Sequence, residues 1–126
     1  DVLKAIGKGI TLSQAEAAVR AAAAAGIPQI SCGFMLGHPA DTASTMGDTI
    51  AFAERLRELG ATSLTISLCT PYPGTALTDL QVHSTDWEQY VFSRVVAHPA
   101  ALTATELVRA YAAALDRIHA SASRRF

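Results

Sequence analysis

Two stretches of the chain decide its fold: ISCGFMLGHPADT at residues 30–42 and LTISLCTPYPGT at residues 64–75. Each begins as an apolar run without charge and ends in a turn rich in glycine and proline. Such runs are typical of strands buried in a parallel sheet. An amphipathic helical pattern lies between them. The sequence therefore predicts a strand–helix–strand unit of the α/β class, with both turns at the carboxyl edge of the sheet, where ligands bind.

The bounds of this unit follow from local signals. We expect the first strand over residues 29–36, the helix over 43–59 and the second strand over 63–69. Asp41 or Thr42 caps the helix at its start. The apolar residues of the helix recur every three or four positions, which places them on one inward face. They are Met46, Ile50, Ala53, Leu56 and Leu59.

Two capping boxes predict further helices on either side of this unit. Thr11 with Gln14 begins one helix, which ends at Gly26. Thr103 with Glu106 begins the last helix. The apolar stripe of the last helix consists of Leu107, Tyr111, Leu115 and Ile118.

The pattern weakens between the second strand and the last helix. Residues 76–81 fit a short helix, and residues 83–99 fit an irregular segment. We expect the rings of Trp87, Tyr90 and Phe92 to anchor that segment.

The composition of the chain argues against several classes of function. The chain has 126 residues, half of them hydrophobic, and a formal net charge of -1, which gives no reason to expect nucleic acid or anionic lipid as a partner. No apolar run is long enough for a bilayer, and no secretory signal pattern opens the chain, so we expect a cytoplasmic protein. The start at Asp1, without methionine and directly in a helix, suggests a fragment of a longer protein.

The chain has two cysteines and four histidines, and their number and spacing limit the metal sites that it can form. Cys32 and Cys69 lie inside the two predicted strands. They are either small buried residues or the two halves of a disulfide across neighbouring strands. Two cysteines are too few for an iron–sulfur cluster or a four-ligand zinc site. The histidines share no ligand spacing, so we predict no metal site.

The two turns carry the residues with functional potential. Gly33 allows a flat ligand to approach the first strand, and Gly37 permits an unusual backbone angle at its end. The amides at the start of the following helix are suited to an anion. In the second turn, two prolines and Gly74 hold Tyr72 at the mouth of the sheet. An ordinary connection without a ligand explains either turn equally well.

Several segments, taken in order, resemble the carboxyl-terminal half of a radical S-adenosylmethionine (SAM) catalytic domain. The resemblance covers about residues 2–80. It rests on the segments LKAIGKG at 3–9, GI at 26–27, GFMLGHPADT at 33–42, TIAFA at 49–53 and TPYPGT at 70–75. Further likenesses, at Asp86-Trp87-x-x-Tyr90 and Pro99-x-x-Leu102-Thr103, are to the subgroup with a cobalamin-binding domain. That subgroup includes methyltransferases and the anaerobic magnesium-protoporphyrin ester cyclase.

The resemblance implies a fold and a domain plan. Residues 1–80 would form the later half of a partial TIM-type barrel with parallel strands and flanking helices. Residues 81–126 would form an irregular segment and a carboxyl-terminal helix packed on it. Ala40 and Asp41 depart from the family, which mostly has Gly and Glu there, and Ala40 speaks against an unusual backbone angle at that position.

The resemblance also implies cofactors and site residues. SAM would bind at a [4Fe-4S] cluster, whose three-cysteine motif C-x-x-x-C-x-x-C is absent from this sequence, and cobalamin belongs to the subgroup. It assigns no catalytic residue. The cofactor-binding residues would be Met35, Gly37, Thr70 and Pro71, and the substrate-binding residues would be His38 and Tyr72.

The expected function is therefore that of one part of an enzyme. The intact protein would cleave SAM and then carry out radical methylation or cyclisation of a small-molecule substrate, and this chain would be inactive without the amino-terminal half of the barrel. Two alternatives remain open. One is a phosphate-binding α/β barrel fragment of another enzyme class. The other is a non-catalytic α/β module that forms homo-oligomers through open sheet edges.

Overall fold

The computed structural model describes residues 2–77 and 79–123. None of the helices over these residues is long and apolar enough to cross a bilayer. The elements, in chain order, are α1 (Val2–Ala5), α2 (Leu12–Ala24), β1 (Ser31–Leu36), α3 (Ala43–Glu58), β2 (Ser63–Leu68), β3 (Gln81–Val82), a 3₁₀ turn (Trp87–Gln89), β4 (Ala97–His98) and α4 (Ala104–Ser123).

The strand–helix–strand unit predicted from the sequence is confirmed. β1 and β2 are parallel and paired in register from Ser31–Ser63 to Leu36–Leu68. The ladder extends past both strands, because Cys69 N donates to Leu36 O at 2.8 Å. Both strands are one or two residues shorter than predicted. Their carboxyl ends therefore lie at the same edge of the sheet.

The two faces of this sheet differ in burial. The helical side is apolar and is covered by α3 and α4. The opposite side is open, uncharged and built from small residues and one methionine, with Gly33, Met35 and Thr65 exposed and Ser67 half-buried. The mixed α/β architecture with flanking helices is thus confirmed. No closed barrel forms over residues 2–77 and 79–123, and a partial barrel stays a prediction.

The core lies between the sheet, α3 and α4. Phe34 and Phe52 meet edge to face, with ring centroids 6.4 Å apart. At the far end of the helix pair, the buried Arg57 guanidinium donates to the Ile118 carbonyl. The inward face predicted for α3 is confirmed, except that Leu59 is only half-buried and Arg57 is buried. Its buried residues are Met46, Ile50, Ala53, Leu56 and Arg57.

The helix ends follow the predicted signals. The capping boxes at Thr11–Gln14 and Thr103–Glu106 both form. At α3, Thr42 is the N-cap, with Thr45 as its reciprocal partner, so Asp41 is free for another role. α2 ends in a Schellman motif at Gly26, whose φ is +74°.

The segment after β2 differs from the prediction in two ways. No helix forms over the described part of residues 76–81, and Gln81–Val82 instead pairs antiparallel with Ala97–His98. The rings of Trp87 and Phe92 are 63% and 66% exposed, so they do not anchor the segment in the core. Tyr90 does anchor it, because its half-buried ring packs on Trp87 and its hydroxyl donates to the Ser84 carbonyl at 2.9 Å. A backbone bond from Leu68 N to Phe92 O, at 2.6 Å, joins the segment to β2.

Gly60 controls how closely α2 approaches the turn after α3. Its φ is +125°, and a Cβ there would lie 2.6 Å from the Ala23 Cβ. We expect Gly60→Ala to lower the free energy of unfolding by at least about 2 kcal/mol, because it adds both backbone strain and overlap. Urea denaturation measures this.

Gly47 provides the matched control. It lies within α3, and a Cβ there meets nothing within 4 Å. Gly47→Ala is expected to raise the free energy of unfolding by up to about 1 kcal/mol through helix propensity. Equal effects of the two substitutions would contradict the close packing of Gly60 against Ala23.

Candidate functional site

The loops after β1 and β2 lie side by side at the carboxyl edge of the sheet. Residues 37–42 form the first loop and residues 69–75 the second. The hydrogen bond from Cys69 N to Leu36 O joins their starting points. A ligand at this edge of the sheet contacts both loops, as is usual for parallel α/β folds.

Asp41 organises the first loop. It is buried, with 1% of its surface exposed. Its Oδ2 accepts from the backbone N–H groups of Gly37 and His38, both at 2.9 Å, and its Oδ1 accepts from the Thr45 hydroxyl at 2.7 Å. One carboxylate therefore ties the strand end, the loop and the first turn of α3 together.

Glycine is needed at position 37 because a side chain there would meet the core, not because it would block the open side of the loop. Its φ is +86°, as the sequence predicted for an unusual angle, and a Cβ there would lie 3.1 Å from the Leu107 Cδ2. None of the described residues other than glycine has a positive φ. Ala40 accordingly fits its position without strain.

The second loop is a stiff turn, as predicted. Tyr72 O accepts from the backbone N–H and the hydroxyl of Thr75, and Gly74 has a φ of +81°. Proline followed by a left-handed glycine is the pattern of a type II turn. The Tyr72 hydroxyl donates to the Tyr90 carbonyl at 3.0 Å. The Tyr72 side chain therefore contacts the segment before β4.

A cavity of about 750 Å³ lies beside β1, between the strand, the start of α2 and α3. Met35 and His38 line it. The other four predicted site residues do not, and three of them have observed contacts in the loops: Gly37 packs towards Leu107, the buried Thr70 hydroxyl donates to Leu68 O, and Tyr72 bonds to Tyr90. The structure brings Met35 and His38 together in one cavity and leaves Gly37, Thr70, Pro71 and Tyr72 beside it.

His38 is the titratable group best placed for a ligand. Its Nδ1 is buried and has no hydrogen-bond partner. Burial lowers the pKa of His38 below 6.5, and the nearby Asp41 carboxylate offsets part of that shift. The imidazole is therefore neutral at neutral pH, and it lines the cavity with an Nδ1 that is buried and unsatisfied.

One face of α3 supplies site residues to which the sequence reasoning gave no role. Thr45, Asp48, Thr49 and Phe52 line the cavity. Their spacing of three and four marks a second face of α3, beside the buried one. That spacing was visible in the sequence, but only the packing of α2 shows that the face borders a cavity.

The two cysteines lie at opposite ends of the strand pair. Cys32 is opposite Leu64, whereas Cys69 follows the end of β2, and both thiols are free. Burial raises the pKa of both, that of Cys69 to about 11 with a further contribution from the Asp41 carboxylate. No group of three or more His, Cys, Asp or Glu side chains suited to a metal ion occurs in the described part of the chain.

Comparison with known proteins gives one relative. A protein of Pyrococcus horikoshii, named an uncharacterized methyltransferase, is 34% identical to this chain over 94 residues. The match covers 71% of this chain, which spans about a fifth of the length of that relative. No protein-family model matches the chain, and no solved structure matches it significantly.

The role of Asp41 can be tested by an isosteric change. In Asp41→Asn, one oxygen becomes an amide N–H₂ that cannot accept, so the variant loses either the bonds from Gly37 and His38 or the bond from Thr45, and the net charge of the acceptor is lost as well. We expect the free energy of unfolding to fall by about 2 kcal/mol. Asp48→Asn, on the exposed side of α3, should change it by less than about 0.5 kcal/mol. Comparable urea midpoints for the two variants would contradict the organising role of Asp41.

Thiol reactivity tests the burial of Cys69. With a pKa of about 11, only about a thousandth of this thiol is ionised at pH 8. In native protein we expect Cys69 to react with a disulfide reagent far more slowly than free cysteine, and to react fully once urea unfolds the chain. A Cys32→Ser variant isolates the signal of Cys69. Rapid reaction of that variant in native buffer would contradict the buried position.

Proposed function

We propose that this chain forms part of the SAM and substrate pocket of a methyltransferase of the radical SAM kind. The observation that carries the proposal is the adjacency of the two carboxyl-end loops, joined at Cys69 N and Leu36 O, next to an open uncharged sheet face. The similarity to a protein named a methyltransferase supports the same reading.

The open face of the sheet suits a nucleoside. Gly33 leaves space above β1 for a flat ring, and the exposed Met35 thioether provides a soft apolar contact for it. The Thr65 and Ser67 side chains, on the neighbouring strand, offer hydroxyl groups beside that surface. Mostly apolar walls with a few placed polar groups are the usual makeup of a small-molecule site.

His38 is proposed to orient the ligand at the loop end of the cavity. A buried ring nitrogen without a partner is uncommon in folded proteins, and a rotation of the ring towards the cavity would let a ligand hydroxyl supply the missing bond. Because the imidazole is neutral, its Nδ1 can accept this bond without placing a second cation near the sulfonium of SAM.

Among the implied cofactors, SAM is the one that we propose this chain contacts. The two cysteines lie at opposite ends of the strand pair, so a [4Fe-4S] cluster would need ligands outside these residues. No residue here is assigned to cobalamin. SAM would supply the methyl group or the adenosyl fragment, and the residues of this chain would bind its nucleoside, orient it and shape the substrate cavity.

A phosphate site at the start of α3 is the less favoured alternative. The loop amides of Gly37 and His38 already bond to the Asp41 carboxylate, and the Thr45 amide bonds to the Thr42 hydroxyl. These three donors are therefore engaged, and the buried carboxylate would repel an anion bound beside them. An uncharged nucleoside meets neither obstacle.

Adenosine, whose charge does not change near neutral pH, is the probe for this proposal. We expect it to shift the amide resonances of Gly33, Met35 and His38 in the 126-residue chain. His38→Phe should weaken the affinity about tenfold, whereas His119→Phe, on the exposed side of α4, should not. Shifts confined to the opposite end of the sheet, or binding of inorganic phosphate but not adenosine, would overturn the proposal.

The affinity should also depend on pH through His38. Its folded pKa lies below 6.5, so the ring stays neutral down to that range and then gains a proton. Protonation abolishes the acceptor at Nδ1, and the affinity for adenosine is expected to fall as pH decreases below 6.5. The same titration on His38→Phe should be flat. An identical pH profile for both proteins would assign the dependence to another group.

A further inference from the structure

The hydroxyl groups that line the cavity beside β1 differ in their bonding. Over residues 2–77 and 79–123 there are five of them, and four already bond to other groups of the protein. Those four belong to Thr11, Thr45, Thr49 and Ser67. The fifth is the hydroxyl of Thr65, which has no hydrogen bond to any described residue. Thr65 is exposed on the open face of the sheet, so its hydroxyl is free to bond to a ligand.

The Thr65 hydroxyl borders the space above Gly33. The two residues are partners in the parallel register, so they lie next to each other on the open face of the sheet. A Cβ on Gly33 would lie 3.5 Å from the Thr65 Oγ1, which is an ordinary van der Waals distance. A ligand ring in the space left by the absent Gly33 side chain therefore brings its edge to the Thr65 hydroxyl.

The surroundings of this hydroxyl favour an uncharged polar edge on the ring. The open face of the two strands carries no charged residue. It consists of Ser31, Gly33, Met35, Ser63, Thr65 and Ser67. The charged residues that line the cavity, Lys8 and Asp48, belong to the chain before α2 and to α3. A hydroxyl oxygen accepts a hydrogen bond from an amine, and the exocyclic amine of adenine adjoins both polar edges of the base.

We propose that Thr65 recognises the base of the bound nucleoside by accepting a hydrogen bond from its exocyclic amine while the ring lies over Gly33. This inference rests on the proposed function and adds a specificity-determining residue to it. Ser67 is less suited to this role, because its hydroxyl already donates to the Phe34 carbonyl at 3.2 Å. Recognition of the base by β2 is separate from the contact with His38 at the loop end of the cavity.

Purine riboside, which lacks the exocyclic amine of adenosine, tests which group Thr65 contacts. Thr65→Val keeps the shape of the side chain and removes the hydroxyl. We expect it to weaken adenosine binding about fivefold and to leave purine riboside binding unchanged, as measured by titration calorimetry. Thr65→Ser retains the hydroxyl and should bind adenosine as the unchanged chain does. An equal loss for both nucleosides, or no loss for adenosine, would overturn the inference.

Ser63→Ala is the matched control. Ser63 lies on the same face of β2, two residues before Thr65, and does not line the cavity. Removal of its hydroxyl should leave the binding of both nucleosides unchanged. A loss of adenosine affinity as large as that in Thr65→Val would contradict a specific role for Thr65.

Gly33→Ala tests the position of the ring. Gly33 does not have a positive φ, and its added Cβ would make only an ordinary contact, so we expect a urea midpoint at least as high as that of the unchanged chain. The new methyl group fills the space above the strand. Both nucleosides should therefore bind at least about tenfold more weakly. Unchanged binding by this variant would overturn the placement of the base over Gly33.

The outcomes separate this inference from the proposed function. If adenosine shifts the amide resonances of Gly33, Met35 and His38 but binds equally well to Thr65→Val, the nucleoside pocket is retained and the role of Thr65 is wrong. If adenosine does not bind to the unchanged chain, both proposals are overturned.

Discussion

The in-register parallel pairing of β1 and β2 is the constraint on which the rest of the molecule depends. A parallel pair needs a crossover, and α3 provides it while covering one face of the sheet. The pairing aligns both carboxyl ends, so the two loops start one hydrogen bond apart. α4 completes the covered face and leaves the other open. The helical side is thus the core, and chemistry is confined to the open face and the loop edge.

Asp41 fixes the conformation of the first loop at this edge of the sheet. A carboxylate with 1% exposure costs free energy to desolvate, and three donors from the loop and α3 offset that cost. The same carboxylate holds the backbone of His38 and raises the pKa of the buried Cys69 thiol. It also engages two loop amides, those of Gly37 and His38, and places a negative charge beside them. This arrangement favours an uncharged ligand group next to the loop over a phosphate.

The cavity beside β1 extends from the open face of the sheet to the loop edge. His38 lines it at the loop end, Thr65 and Ser67 line it on the neighbouring strand, and Leu3 and Ile6 line the opposite wall. The helices at the start of the chain therefore contribute to the same cavity as the two strands, although they are distant from β2 in the sequence.

Sequence alone determined the elements whose signals are local. Capping boxes at Thr11 and Thr103, glycine stops and the uncharged strand runs all formed as predicted, because each depends on a few neighbouring residues. Only the tertiary structure decided which side chains meet: Met35 and His38 line the cavity, Tyr72 bonds to Tyr90, and Trp87 and Phe92 are exposed. These outcomes depend on how α2 and the segment before β4 pack against the sheet, and packing between distant segments leaves no periodic mark in the sequence.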